Sequence, residues 1–277
     1  MSLELMSEKF NPLFYSSTLN SSILNSKNMN KDLIQPDPWI SLKTHTHARI
    51  ALGNVGGSLP TQEVLNFKLA HAEAKDAIFI PLKINELTHN LEKMPFPIFT
   101  VKSKINDRNE YLKRPDLGRR LDEKSVEILS KNKENFDLIF VITDGLSAEA
   151  VNAHALPLIE RISTDLKEKY RIGIALAEQG RVAIADEIGE LLNAKMTVIF
   201  IGERPGLSSP QSMGIYTTFN PKIGLTDERR NCISNIHANG LSYELASNQL
   251  ISLINQSFAL GYSGVDLKVE SNLALNP

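Results

Sequence analysis

The stretch DLIFVIT, residues 137–143, decides the fold class. Two runs of the same kind follow it, IGIALAE at residues 172–178 and MTVIFIG at residues 196–202. None of the three alternates regularly between apolar and polar residues. Short unbroken apolar runs of this kind are typical of strands buried on both faces of a parallel sheet.

Helical segments separate these runs, roughly Ser147–Lys169 and Ile184–Leu192. The alternation of strand and helix predicts a doubly wound α/β domain with a mainly parallel, Rossmann-like sheet. A further strand is expected at Ile215–Phe219, and a closing amphipathic helix at about Tyr243–Leu260. We assign residues 133–277 to this domain.

The segment before it, residues 36–132, has a mainly helical pattern. One helix is expected from Thr61 to about Asp76, with an apolar stripe that includes Val64, Leu65 and Leu69. The sequence therefore predicts a helical N-terminal region in front of the α/β domain.

The first 35 residues differ in composition from the rest. Residues 16–31 read SSTLNSSILNSKNMNK, which is polar and rich in Asn and Ser. Such a segment buries too little apolar area to offset the entropy of ordering it, so we expect residues 1–35 to be a disordered tail. The alternative is a targeting or docking segment.

Composition excludes several classes of protein. The formal net charge of −2 argues against nucleic-acid binding, which usually needs a basic face. No apolar run approaches the roughly 20 residues that span a bilayer, and no secretory signal is visible. The single cysteine excludes an internal disulfide and suits a reducing cytoplasm.

The strand ends predict where a ligand binds. In open parallel sheets, ligands bind outside the carboxyl ends of the strands. The three quoted strands end in Asp144-Gly145, Gln179-Gly180-Arg181-Val182 and Gly202-Glu203-Arg204, and each loop joins glycine with a charged residue. A binding edge is therefore expected near residues 144, 181 and 204.

The common catalytic motifs are missing from this edge. No GxGxxG, GxxxxGK[ST] or GxSxG pattern is found. Ser147 is read as the N-cap of a helix, because no histidine partner for a nucleophilic serine is signalled nearby. A self-sufficient transferase or hydrolase using Ser147 or Glu203 stays open as an alternative.

Other candidates have ordinary explanations. His45 and His47 have no signalled third metal ligand, and a lone cysteine such as Cys232 is usually a small buried hydrophobe. The cluster of Lys113, Arg114, Arg119 and Arg120 reads as a solvated basic face. Its alternative is an anion clamp or a subunit contact.

Four motifs carry a family resemblance. They are YLKRPDLGRRL at residues 111–121, DGLS at 144–147, GERPGLSS at 202–209 and NCISNI at 231–236. Their order and spacing closely resemble the small subunit of ethanolamine ammonia-lyase, over about residues 38–266. The last two motifs are the specific ones.

The resemblance implies a function and a partner. In that family a large barrel subunit pairs with this smaller α/β subunit, and adenosylcobalamin lies between them. The enzyme converts ethanolamine to acetaldehyde and ammonia. Carried over by motif, the cofactor contacts are Val182, Glu203 and Cys232, whereas no catalytic residue and no metal ligand falls on this chain.

The residue types suit a corrin ring, which carries amide arms around an apolar rim. Glu203 is expected to accept hydrogen bonds from amides, Val182 to pack, and Cys232 to offer a small soft contact. The DxHxxG motif is absent, so the cofactor is expected to keep its own dimethylbenzimidazole on cobalt. The resemblance also implies a cytoplasmic location inside a bacterial microcompartment, where the tail is expected to dock to a shell protein. A non-catalytic binding module remains a second alternative.

Overall fold

The computed structural model of the chain describes residues 34–35 and 37–267, so nearly all of the predicted tail lies outside the described residues. The chain divides into two compact units, residues 1–65 and 66–277. The described part of the first unit holds a 3₁₀ helix at Ile40–Thr44 and two isolated β-bridges, Gln35 with Asn54 and Val55 with Ser58.

The described part of the second unit contains six strands and six complete α-helices. The strands are β1 (Ile98–Lys102), β2 (Leu138–Thr143), β3 (Ile172–Glu178), β4 (Met196–Gly202), β5 (Met213–Phe219) and β6 (Arg230–Ile236). The helix α1 (Thr61–Ala77) begins in the first unit. It is followed by α2 (Ile84–Leu91), α3 (Arg108–Lys113), α4 (Glu123–Lys131), α5 (Ala148–Leu166), α6 (Ile184–Leu191) and α7 (Tyr243–Leu260).

The strands form one sheet in the order β1-β3-β2-β4-β5-β6. The first four are parallel to one another, whereas β5 pairs antiparallel with β4 and β6 pairs antiparallel with β5. The predicted mainly parallel α/β sheet is confirmed. The expected strand after β4 exists and begins two residues earlier than predicted.

Two strands were not predicted. β1 lies in the region read as mainly helical, and β6 contains the NCISNI motif. β1 is an edge strand whose residues are alternately buried and partly exposed, so it lacks the unbroken apolar run that identified the central strands. Residues on both sides of the domain boundary predicted at 133 therefore contribute to the sheet.

Apolar residues fill both faces of the sheet. On one face, Phe140 and Phe200 pack with α2, α5 and α7. On the other face, Val141 and Ile199 pack with α4 and α6, forming what we call the second core. Because both faces of the central strands are covered, their side chains are buried throughout, which explains their continuous apolar sequences.

The apolar stripe predicted on α1 is not buried. Val64 is 37%, Leu65 54% and Leu69 61% exposed. The buried residues of this helix are Ala70, Ala74 and Ala77, which are spaced three and four positions apart. Helical periodicity predicted the helix correctly, but the small side chains rather than the large ones are buried.

Candidate functional site

The loops after β2, β3 and β4 meet at the carboxyl edge of the sheet, as the sequence predicted. The Leu146 amide donates to the Gly202 carbonyl at 2.9 Å, which joins the first loop to the third. The Gly180 amide donates to Oδ1 of Asp144 at 3.2 Å, which joins the second loop to the first. The edge is therefore a hydrogen-bonded unit.

A buried ion pair lies at this edge. Asp144 accepts from Nη1 of Arg108 at 3.0 Å, and both side chains are largely buried. Arg108 also donates to the carbonyls of Ile78 and Gly145 and to Oε1 of Gln179. Burial raises the pKa of Asp144 to about 6, although the Arg108 guanidinium opposes this change. Sequence reasoning identified Asp144 but not its partner.

Glu203 is held in place by its neighbours. Its carboxylate accepts hydrogen bonds from the Ser212 hydroxyl at 2.5 Å and from the backbone amide of Asn235 at 3.3 and 3.4 Å. A Cβ atom at Gly214 would lie only 2.9 Å from Oε1 of Glu203, so the absence of a side chain at this position lets the carboxylate lie against β5. Because Glu203 is only partly buried, it keeps an exposed side for a ligand.

Cys232 lies beside Tyr216, its partner in the antiparallel register of β5 and β6. Tyr216 packs against the second core, whereas Cys232 is exposed. The general expectation that a lone cysteine is buried is therefore wrong here, and exposure suits the contact role that the family resemblance implied.

The electrostatics of this pair favour a neutral thiol. Although Cys232 is exposed, desolvation by the groups around its sulfur raises its pKa, and the Glu203 carboxylate adds to the increase, whereas a hydrogen bond from Tyr216 opposes it. Burial also raises the pKa of Tyr216, with further contributions from Cys232 and Glu203. Since the thiolate is the nucleophilic form of cysteine, Cys232 is suited to contact and not to nucleophilic attack near neutral pH.

Val182 follows β3, immediately before α6, and packs partly against the second core. It lines a cleft, which we call the Val182 cleft, whose apolar wall also includes Pro115, Ile223 and Leu225. Among the residues that the structure describes, neither Glu203 nor Cys232 lines this cleft.

The three predicted contacts therefore form two neighbouring surfaces. Glu203 and Cys232 share Tyr216, whose pKa both raise. Val182 lies in the adjoining cleft. Asp227 links the two surfaces, because it lines that cleft and its charge also raises the pKa of Tyr216. Sequence reasoning missed Tyr216, although its antiparallel neighbour Cys232 was recognised by resemblance.

Ser147 is an N-cap, as predicted. Its side chain accepts from the Ala150 amide at the start of α5 and donates to the Pro210 carbonyl at 2.9 Å. Within residues 34–35 and 37–267, no three His, Cys, Asp or Glu side chains are grouped to hold a metal. No helix in this described part is both long and apolar enough to cross a membrane.

Comparison with known proteins agrees with this reading. The family model for the ethanolamine ammonia-lyase light chain matches residues 36–268. The chain is 47% identical over 256 residues to the ethanolamine ammonia-lyase small subunit of Pseudomonas aeruginosa (strain LESB58), covering 90% of this chain and 93% of that protein. It is 48% identical over 245 residues to the small subunit of Pseudomonas fluorescens (strain SBW25), covering 86% and 88%. The chain belongs to the ethanolamine ammonia-lyase light-chain family.

Proposed function

We propose that this chain binds adenosylcobalamin at an interface with the large, barrel-shaped subunit of ethanolamine ammonia-lyase. The complex would convert ethanolamine to acetaldehyde and ammonia in ethanolamine catabolism. Family membership supports the reaction class, and Val182, Glu203 and Cys232 are the proposed cofactor contacts. The observation that carries the proposal is the position of Glu203, which is oriented by two donors on an open face beside an exposed thiol.

The residues present fit a corrinoid. A corrin offers amide N–H donors, and a carboxylate accepts stronger hydrogen bonds from them than a neutral acceptor would. Ser212 and Asn235 fix the Glu203 carboxylate but leave it lone pairs, because a carboxylate has about four acceptor sites. Cys232 and Val182 add small apolar contacts on neighbouring surfaces.

The cofactor and this chain have different proposed roles, which follow from the chemistry of their groups. Adenosylcobalamin, when bound, supplies radical chemistry by breakage of its cobalt–carbon bond. The residues of this chain bind and orient: Ser212 fixes the carboxylate of Glu203, and Tyr216 supports Cys232. In the proposed roles Cys232 and Glu203 only contact the cofactor, so we assign no catalytic residue to this chain.

The test is reconstitution. We would co-express this chain with a large subunit, add adenosylcobalamin, and follow protein and corrinoid absorbance through gel filtration. Corrinoid is expected to elute with the two-subunit complex. Glu203→Gln should weaken its retention, whereas the control Glu149→Gln should not, because Glu149 lies on α5 and contacts Gln211. A stable two-subunit complex that never retains corrinoid would overturn the proposal.

We further propose that the isolated chain is inactive. The alternative of a self-sufficient transferase or hydrolase using Ser147 or Glu203 loses the first of these groups, because the Ser147 hydroxyl caps α5 and donates to Pro210. Turnover of ethanolamine by this chain without a large subunit would contradict this reading.

A cytoplasmic location inside a bacterial microcompartment remains a proposal that rests on the family resemblance. Residues 1–35 would serve as the docking segment for a shell protein, and residues 1–33 lie outside the described residues. Removing residues 1–35 should abolish association with purified shell protein and leave corrinoid retention unchanged. Unchanged association with the shell protein after the deletion would refute the docking proposal.

A further inference from the structure

The charges around the Val182 cleft are unevenly balanced. Asp186 forms a buried bidentate pair with Arg230, at 2.7 and 2.8 Å. Asp227 also contacts Arg230 at 3.3 Å, and Asp116 is engaged by Arg114. All three carboxylates that line the cleft are therefore already paired.

Two guanidinium groups on the same cleft have no such partner. Arg119 and Arg181 both line it, and neither forms an ion pair with any residue that the structure describes. Arg120, the neighbour of Arg119, differs because it forms a bidentate pair with Glu187. Four arginines and three aspartates line the cleft, so its net charge is +1, and Arg119 and Arg181 are the two arginines without an ion pair to a described residue.

Arg181 is held in a defined position. Its amide donates to the Gly118 carbonyl at 2.7 Å, and its guanidinium lies 4.0 Å from the centre of the Tyr111 ring. Nη2 donates to the Tyr111 carbonyl at 2.9 Å. A Cβ atom at Gly118 would lie 2.9 Å from Cγ of Arg181, so the side chain needs glycine at this position.

The remaining donor capacity of Arg181 is unused. Its Nη1 makes no hydrogen bond to any described residue and is not buried, whereas the unpartnered Nε is buried, so Nη1 is the donor that a ligand can reach. Arg108 contacts the same Tyr111 ring at 4.3 Å, but its charge is balanced by Asp144. A fixed guanidinium with a free donor and no carboxylate is the arrangement that a phosphate group recognises.

We propose that Arg181, together with Arg119, binds the phosphodiester of the nucleotide loop of adenosylcobalamin in the Val182 cleft. The inference rests on the proposed function. That phosphodiester carries a permanent negative charge, whereas the side arms of the corrin ring are neutral amides. It therefore matches a cleft of net positive charge with two unpaired guanidinium groups, just as the amides match Glu203.

The position of Arg181 supports one continuous site. Arg181 also lines a second cleft, together with Lys75, Arg204 and Leu207. Arg204 follows Glu203 directly, so Arg181 lies between the Val182 cleft and the loop that carries the proposed amide acceptor. A ligand with neutral arms and one anionic loop would meet both kinds of group at this edge.

The test uses the two-subunit complex and three ligands. Adenosylcobalamin carries the phosphodiester, adenosylcobinamide phosphate carries a terminal phosphate, and adenosylcobinamide carries none. The last two differ only in the phosphate, so the ratio of their dissociation constants, measured by equilibrium dialysis, isolates its contribution. The wild-type complex should prefer the phosphate-bearing ligand by tenfold or more.

Arg181→Gln and Arg119→Gln should each reduce that preference by at least threefold and barely change the affinity for adenosylcobinamide. Arg181→Lys should retain part of the preference for phosphate, because lysine keeps the positive charge but lacks the planar pair of donors of a guanidinium. Arg171→Gln is the control: it removes one positive charge from the opposite edge, where Arg171 pairs with Glu134. Arg119→Gln decides the question if Arg181→Gln does not assemble, because the Arg119 side chain has no ion pair to lose.

The outcomes separate this inference from the function beneath it. Absence of any corrinoid binding by the wild-type complex would overturn both. Equal losses for all three ligands in the arginine variants would overturn only the phosphate assignment. Weaker subunit association with an unchanged ligand preference would show that the two arginines contact an acidic group of the partner instead.

Discussion

Gly214→Ala provides a test of the Glu203 site that leaves the carboxylate in place. The new Cβ atom would lie 2.9 Å from Oε1, 3.3 Å from Cγ and 3.5 Å from Cδ of Glu203. Ordinary van der Waals contact begins at 3.4 Å, so the carboxylate must move by about 0.5 Å. The hydrogen bonds from the Asn235 amide, at 3.3 and 3.4 Å, are already long and would be lost.

The expected cost falls on binding and not on folding. The atoms that the new methyl group meets all belong to the Glu203 side chain, which can rotate away without moving the backbone. Hydrogen bonds to charged groups contribute about 1.5–3 kcal/mol, so a displaced acceptor should weaken corrinoid binding by about tenfold or more. The assay is the dissociation constant of adenosylcobalamin for the two-subunit complex.

Gly206→Ala is the matched control in the adjacent loop. A Cβ atom at Gly206 would lie 3.6 Å from the Ser209 carbonyl oxygen, which is an ordinary contact. This variant should bind adenosylcobalamin with wild-type affinity. If Gly214→Ala also bound with wild-type affinity, while a stability measurement showed both variants folded, the orientation of Glu203 would not matter and the assignment of Glu203 as an amide acceptor would be refuted.

Three further predictions concern a buried carboxyl group, the free thiol and the cobalt ligand. Burial raises the pKa of Asp144 to about 6, so between pH 3.8 and 6 the folded protein keeps a proton that the unfolded protein has lost. The contribution of Asp144 to the unfolding free energy is therefore complete below pH 3.8 and falls by about 3 kcal/mol as the pH rises past 6. Urea unfolding at pH 4 and 7 should show the difference in unfolding free energy between wild type and Asp144→Asn shrinking by that order, and a constant difference would refute the prediction. Cys232 should react slowly with iodoacetamide at pH 7, and the rate should rise only at a pH above the usual pKa range of thiols. Tyr216→Phe should move that rise to still higher pH, because it removes the hydrogen bond that lowers the pKa of Cys232. A rapid reaction at pH 7 would contradict the neutral thiol. The cobalt(II) form of the complex should show coupling to the dimethylbenzimidazole nitrogen in electron spin resonance. His237 follows β6 and contacts Asn235, which is hydrogen-bonded to Glu203, so it is the histidine to test. His237→Ala should leave the spectrum unchanged, whereas loss of the coupling would identify His237 as its source.

Most of the α/β framework could be predicted because its strands obey a simple physical rule. β2, β3 and β4 are covered by helices on both faces, so their sequences are apolar throughout. β1 and β6 lie at the two edges of the sheet and are partly exposed, so they lack that signal. Edge strands are therefore where single-sequence reasoning failed.

The site was predictable in proportion to how local its geometry is. The loops carrying Val182 and Glu203 follow parallel strands, and the strand-end rule alone is enough to place both at the carboxyl edge. Arg181 lies within the same loop as Val182, but its importance depends on stacking against Tyr111 and on an absence of carboxylates paired with it among the described residues. Neither can be read from the order of residues.

Cys232 shows why a resemblance was needed for the rest. It lies on the last strand and reaches the site only through two antiparallel pairings, because Tyr216 pairs with Ile199 of β4 and with Cys232 of β6. Those pairings carry Cys232 onto the same face of the sheet as the second core, within reach of the Glu203 carboxylate that raises its pKa. The parallel strands thus supply the loops of the site, and the antiparallel extension supplies the open face beside them. β5 is almost wholly buried, so the open part of this face belongs to β6, where Cys232 and Ser234 are exposed, and it extends the surface available to the proposed corrinoid beyond the strand-end loops.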